Sequence, residues 1–227
     1  SGVIFINRNG LRWCDAPVAY GPPMTLYNRW KRWSDLGVFA RIMNGLATEC
    51  LDKKTISIDA TYLKAHRTAS SIGLKKGVGR LIRQTKSGKN TKRHAVTDIS
   101  DRPIRFFITA GQVSNYTGAM ALPSSPSDAE WLLADRGYDA DWCREASADR
   151  GTSPCIPCRR SGNRLVRHDK RCKRRRNRIE RMFGKLKDWG RVSTRYDRCP
   201  KVFLSAIALA ATVIFWLRVL TLVTPEE

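Results

Sequence analysis

Two short apolar runs in this chain each lead to an aspartate, and no other feature limits the fold as tightly. From Thr55 to Ala60, Ile56 and Ile58 alternate with Ser57 and Asp59, the period of a strand with one buried face. Trp131-Leu132-Leu133-Ala134 is a second strand-like run, ended by Asp135 and the turn-forming Arg136-Gly137-Tyr138. Carboxylates at the ends of buried strands repel one another unless something neutralises them. Hard divalent cations do this, because they prefer oxygen ligands.

Other segments build an architecture around these strands. Further strand patterns lie near His94–Ile99, Arg105–Thr109 and Pro154–Ile156. After Pro22 and Pro23, Thr25–Trp33 has a helical period, and Phe39, Ile42, Met43 and Leu46 form the next apolar stripe. A helix capped by Asp139 or Asp141 is expected to reach Asp149. Asp98 and Asp101 suit a hairpin turn better than a catalytic role. Strands in succession, followed by strand–helix units, point to a mixed α/β domain.

Charge narrows the function. The chain carries 42 Lys and Arg against 20 acids, a net +22. Such a balance says little about fold but selects polyanionic partners: DNA, RNA or an anionic membrane surface. Leu74 to Arg93 reads as a flexible basic loop, with Lys89 and Lys92 available to a nucleic-acid backbone. A plain solvated charge run is the alternative. His66 and His94 lie among cations and fit a phosphate contact or a surface role. On the helix at Thr25–Trp33, Leu26, Trp30 and Trp33 share one face while Asn28, Lys31 and Arg32 lie opposite. A basic outer face suits a DNA groove, and an ordinary surface helix equally well.

The most basic stretch runs from Arg159 to Lys187, with fourteen Lys or Arg residues against Asp169 and Glu180. Its second half is a helix with Ile179, Met182, Phe183, Leu186 and Trp189 on one face. At roughly 100° per residue, Arg176, Glu180 and Lys187 fall within about 40° of one another, beside that face. Glu180 therefore sits at the boundary between core and solvent, flanked by cations. Read alone, Arg176 and Glu180 also fit a surface i,i+4 pair.

Two features invite rival readings. Cys155-x2-Cys158 followed by His168-x3-Cys172 has zinc-ligand residue types, or is a plain loop. The seven cysteines are otherwise scattered and suit reduced thiols. The run Val202–Leu217 is apolar but falls short of the roughly 20 residues of a membrane span, so it reads as a buried core helix. The chain opens at Ser1 with an apolar pattern already under way, which suggests that a natural N-terminus lies upstream.

Together the motifs resemble a known family. Ile58-Asp59-Ala60-Thr61-Tyr62-Leu63-Lys64-Ala65-His66-Arg67 is similar to the first catalytic strand of bacterial insertion-sequence transposases of the Asp-Asp-Glu class, in the insertion-sequence-five family. Leu132-Leu133-Ala134-Asp135-Arg136-Gly137-Tyr138-Asp139-Ala140 resembles their second Asp motif. Arg176, Glu180 and Lys187 match their Arg-x3-Glu-x6-Lys signature, although Lys173 stands where that signature usually has Tyr. Asn7–Trp13 and Tyr27–Trp33 are similar to the same family.

The resemblance implies an α/β, ribonuclease-H-like catalytic core over residues 51–223, its mixed sheet flanked by helices. Residues 1–50 would be a partial helical DNA-binding segment. It implies that Asp59, Asp135 and Glu180 are catalytic and hold Mg²⁺ or Mn²⁺, two ions serving phosphodiester hydrolysis and transesterification. Arg176, Lys187, Lys31, Arg32, Lys89 and Lys92 are the expected DNA contacts. The implied partners are double-stranded DNA, as terminal inverted repeats and target, and a second copy in a homodimer on DNA. No membrane is involved, and the implied setting is the bacterial cytoplasm at the nucleoid. The alternative is a truncated, catalytically inactive transposase that only binds DNA.

Overall fold

The computed structural model describes residues 1–50, 54–70, 79, 81–86, 88–115, 129–157 and 170–217, with only backbone described at 49–50 and 170–177. Three helices come first: α1 (Gly2–Asn9), α2 (Pro23–Asp35) and α3 (Val38–Cys50). Pro23 occupies the first turn of α2, where its missing N–H costs nothing. Gly10 ends α1 in a left-handed conformation with φ 70°.

The sheet follows. Its strands are β1 (Thr55–Lys64), β2 (Arg83–Thr85), β3 (Gly88–Thr97), β4 (Pro103–Ala110), β5 (Trp131–Ala134) and β6 (Ser153–Cys155). Strand order is β2-β3-β1-β5-β6, with β4 also paired to β3. β1, β3 and β4 form an antiparallel meander, while β5 joins β1 and β6 joins β5 in parallel. A short helix α4 (Arg67–Ser70) follows β1, and α5 (Asp141–Ala148) crosses from β5 to β6. The long basic helix α6 (Lys170–Lys187), the short α7 (Gly190–Ser193) and the apolar α8 (Pro200–Ala211) complete the described elements. This is a mixed α/β fold with a mixed sheet flanked by helices.

Two cores sit on opposite faces of the sheet. Side chains alternate along a strand, so odd and even positions of β1 face different layers. Ile56 and Ile58 pack with Val96, Ile104, Leu132, Ala134, Tyr138, Cys143 and Ile156. Leu63, Ala95 and Phe106 face the larger layer, with Trp30, Phe39 and Met43 from the N-terminal helices and much of α6 and α8. Ile179, Met182, Phe183 and Leu186 of α6 are all buried there, which contributes about 1.5–3 kcal/mol each. α8 is buried all round and continues into a π-helical turn at Thr212–Leu217, so the apolar C-terminal run forms the centre of this core. The segment Pro200–Leu217 is long and apolar enough to cross a membrane, yet two-thirds of it is buried inside the protein.

Several local expectations are corrected. β1 continues to Lys64, so Asp59 lies mid-strand and not at its end. The parallel ladder with β5 stops at Ile58–Ala134, but the antiparallel ladder with β3 holds β1 extended to Lys64–Asn90. The second half of the expected basic loop is the β2–β3 hairpin. Gly88, at φ 106°, makes the turn, and Asn90 fastens it by donating to Thr85 Oγ1 at 2.6 Å. Neither Asp139 nor Asp141 caps α5, whose N-cap is Ala140. Asp139 instead pairs with Arg144 at 2.7 Å, and Arg144 also donates to the Ile156 carbonyl. The hairpin role of Asp98 holds: its Oδ1 accepts from the amides of Ser100 and Arg102, and Arg102 Nε donates to its Oδ2 at 2.7 Å.

Candidate active site

The register of β1 and β5 decides where the aspartates lie. Ile58 pairs with Ala134 in the parallel ladder, so the next residue on each strand is an aspartate. Asp59 and Asp135 therefore stand side by side where β5 ends. Across the antiparallel ladder, Asp59 faces Ala95, whose side chain belongs to the helical layer. By alternation, Asp59 shares that side of the sheet, the side on which α6 packs against β1 and β5.

Local backbone geometry holds each carboxylate. Asp59 Oδ1 accepts from the Ala60 amide at 2.7 Å. Asp135 sits at the N-cap of a 3-10 turn, Arg136–Tyr138, and its Oδ1 accepts from the Gly137 amide at 2.8 Å. A Cβ at residue 137 would lie 2.8 Å from Asp135 Oδ1 and 2.5 Å from Asn115 Nδ2. That close approach requires glycine, and it brings Asn115 to the site, a residue that no sequence pattern marks.

Glu180 is exposed on α6, between the buried Ile179 and Met182, as a boundary position would be. Neighbouring cations tie the helix to the β3–β4 turn: Arg178 donates to the Ile99 carbonyl at 2.8 Å, and Arg181 lies 3.8 Å from Asp101. Lys187 is exposed at the helix end. The side chain of Arg176 lies outside the described residues. Among the described residues, no three His, Cys, Asp or Glu side chains gather closely enough to hold one metal ion. Asp59 and Asp135 supply neighbouring hard oxygen donors of the type Mg²⁺ and Mn²⁺ prefer.

The other selected residues fall into different settings. Arg32 and Lys89 are exposed, whereas Lys31 is paired with Asp35 at 2.7 Å. Lys92 is buried; its ammonium donates to the Val113 carbonyl at 3.0 Å and lies over the Tyr62 ring. His94 is also buried, stacked on Phe107 with its Nε2 2.9 Å from Thr109 Oγ1. Burial, aided by the Lys92 charge, pushes its pKa down to about 3, so it is a neutral core residue and not a surface phosphate contact. His66 lies partly exposed against Tyr196. Cys155 is half-buried on β6, but Cys158, His168 and the Cys172 side chain lie outside the described residues.

Comparison with known proteins supplies the family. Residues 132–218 match the family described as "Transposase DDE domain", and residues 1–43 match "Putative transposase of IS4/5 family". A protein of Brucella ovis, "Putative transposase for insertion sequence element IS6501", is 32% identical over 130 residues, covering 56% of this chain and 98% of that protein. The chain belongs to the insertion-sequence transposases. A second relative, "Putative transposase for insertion sequence element IS402" of Burkholderia cepacia, is 27% identical over 137 residues. That match covers 56% of this chain and 63% of the relative. An uncharacterized protein of Sinorhizobium fredii is 33% identical over 81 residues, 36% of this chain and 63% of its own length.

Proposed function

We propose that the chain is the catalytic part of a DNA transposase. In this reading it cleaves strands at the ends of its element and joins them to target DNA by attack of a 3′-hydroxyl. The observation that carries the proposal is the register placing Asp59 beside Asp135, on the side of the sheet covered by the Glu180 helix. An antiparallel meander whose first strand also pairs in parallel with β5 supports a ribonuclease-H-like core over residues 51–223.

Asp59 and Asp135 would hold Mg²⁺ or Mn²⁺, with Glu180 joining them when DNA is bound. When bound, a pair of such ions stabilises the attacking and leaving oxygens of an in-line phosphodiester displacement. The backbone amides of Ala60 and Gly137 each fix one carboxylate oxygen, of Asp59 and of Asp135 respectively. Arg32, Lys89, Arg176 and Lys187 are the proposed phosphate contacts, with Lys31 shared between DNA and Asp35. Lys92 is not carried into this set, because its ammonium is buried and engaged. Residues 1–50 would contribute DNA binding as well as core packing. Double-stranded terminal repeats, target DNA and a second copy of the chain are the proposed partners, in the bacterial cytoplasm at the nucleoid.

The separation of Glu180 from any three-acid cluster favours a second reading, a protein that binds element ends without cutting. Strand transfer separates the two. Pre-cut element ends bearing free 3′-hydroxyls are incubated with target plasmid, the chain and Mg²⁺. Joined products support the transposase. Stable end binding without joining, in Mn²⁺ as well as Mg²⁺, supports the binding-only reading.

A further inference from the structure

β1 runs on past Asp59 to Lys64, and alternation puts Tyr62 and Lys64 on the face of the sheet away from Asp59 and α6. Both are exposed, Tyr62 to 55%. One apolar ring in water needs no explanation by itself. This one is held from below and flanked by cations. Lys92, its ladder partner on β3, is buried and brings its ammonium 5.1 Å from the ring centre, while donating to the Val113 carbonyl. The attraction of a cation for the ring fixes where the ring sits. Lys64 lies two residues along the same strand, about 7 Å away. It pairs with Asn90, and Asn90 pairs on its other side with Arg83 of β2, which is exposed as well. Lys64 and Arg83 thus share the face of Tyr62, two strand spacings or roughly 10 Å apart. The three strands contain one carboxylate between them, Asp59, and it lies on the other face.

We infer that Tyr62, Lys64 and Arg83 form a binding site for an unpaired DNA strand. The ring stacks on a base, and the two cations contact the neighbouring phosphates. A positive surface that follows the backbone, combined with an aromatic ring for a base to stack on, is how proteins hold single strands without reading their sequence. A duplex cannot use the ring in this way, because its bases already stack on one another and must be extruded first. The inference rests on the DNA reading above and extends it from duplex ends to a single strand. Because Tyr62 and Asp59 lie on opposite faces of the sheet, the strand bound here is held apart from the carboxylates.

The experiment measures binding of the full chain to a short, unstructured single strand of DNA, to its duplex and to the matching RNA strand, by fluorescence anisotropy. The wild type is compared with Tyr62→Leu, Tyr62→Phe, Lys64→Ala and Arg83→Ala, with thermal midpoints recorded for all. Tyr62→Leu should weaken binding of the DNA single strand by about fivefold or more. Tyr62→Phe keeps the ring and should bind as the wild type does. Duplex affinity should be nearly the same for all three. Lys64→Ala and Arg83→Ala should each reduce the slope of log affinity against log salt for the single strand by about 0.7, a readout that stands even if Tyr62→Leu fails to fold. If folded Tyr62→Leu binds the single strand as tightly as the wild type, or if neither lysine nor arginine variant moves the slope, the inference is overturned and the duplex reading survives. A Tyr62 dependence seen with RNA and not with DNA overturns it as well. If the folded wild type binds neither form of DNA, the inference and the DNA reading fall together.

Discussion

The Gly137 amide donates to Asp135 Oδ1 at 2.8 Å, and it can do so because residue 137 has no side chain. Asp135 thereby caps the turn that follows it, and one of its two oxygens is fixed before any ligand arrives. A Cβ at 137 would press on both Asp135 Oδ1 and Asn115 Nδ2. Gly137→Ala should therefore displace the carboxylate while leaving the surrounding core largely intact. Single-turnover nicking should fall by about tenfold or more, since small misplacements of reacting groups are costly. The thermal midpoint should change much less than activity does.

Arg93 and Arg195 are both completely buried, but their surroundings differ. Arg195 donates to Thr91 Oγ1 at 2.6 Å and to the carbonyls of Asp197 and Arg198. None of the three guanidinium nitrogens of Arg93 has a hydrogen-bond partner among the described residues; the group lies 4.9 Å from the Phe183 ring centre. Replacing an unpaired buried charge by an apolar side chain of similar length removes its desolvation cost. Arg93→Met should accordingly hold or raise the urea midpoint. Arg195→Met strands several buried acceptors and should lower stability by about 1–3 kcal/mol or more, with a lower urea midpoint.

His94 makes stability pH-dependent. Its folded pKa is about 3 against an ordinary 6.5, so the unfolded chain binds this proton first as the pH falls. The contribution of His94 is fully present above pH 6.5 and is lost as the pH drops towards 3. Across that window the loss is about 1.4 kcal/mol per pH unit. Urea titrations at a series of pH values should show this slope, and His94→Gln should flatten it.

Lys89 and Lys92 would separate the proposed DNA contact from folding. Lys89 is exposed, and Lys92 is buried with its ammonium on the Val113 carbonyl. Lys89→Ala should weaken binding to all DNA sequences alike and reduce the slope of log affinity against log salt by about one. Lys92→Ala should leave that slope unchanged and lower the thermal midpoint. Binding isotherms at several salt concentrations check both.

The contrast between these lysines also marks what could be read from the chain. The buried face of α6 was legible because Ile179, Met182, Phe183 and Leu186 repeat at helical spacing. The strands bearing Asp59 and Asp135 were legible from short apolar runs, but their register was not, since alternation fixes a face and not a partner. Lys92 and Arg93 read as part of a flexible basic loop facing DNA, and His94 as a phosphate contact or surface residue at a strand's start, because charges dominate the local composition. They are instead buried in β3, where Val113 and Thr109 engage Lys92 and His94 from more than ten residues away. Asp139 was misread as a cap because its true partner, Arg144, competes for the same carboxylate. Asn115 escaped notice because its residue type signals no site without the fold around it.

In the proposed mechanism Asp59, Asp135 and Glu180 act together through a divalent cation on DNA. Its most direct test is Mg²⁺-dependent nicking of DNA carrying the element's ends, with Glu180→Gln beside the wild type. The wild type should nick, Glu180→Gln should lose nicking by at least about a hundredfold, and DNA affinity should stay unchanged. Nicking that persists in Glu180→Gln at the wild-type rate would contradict it.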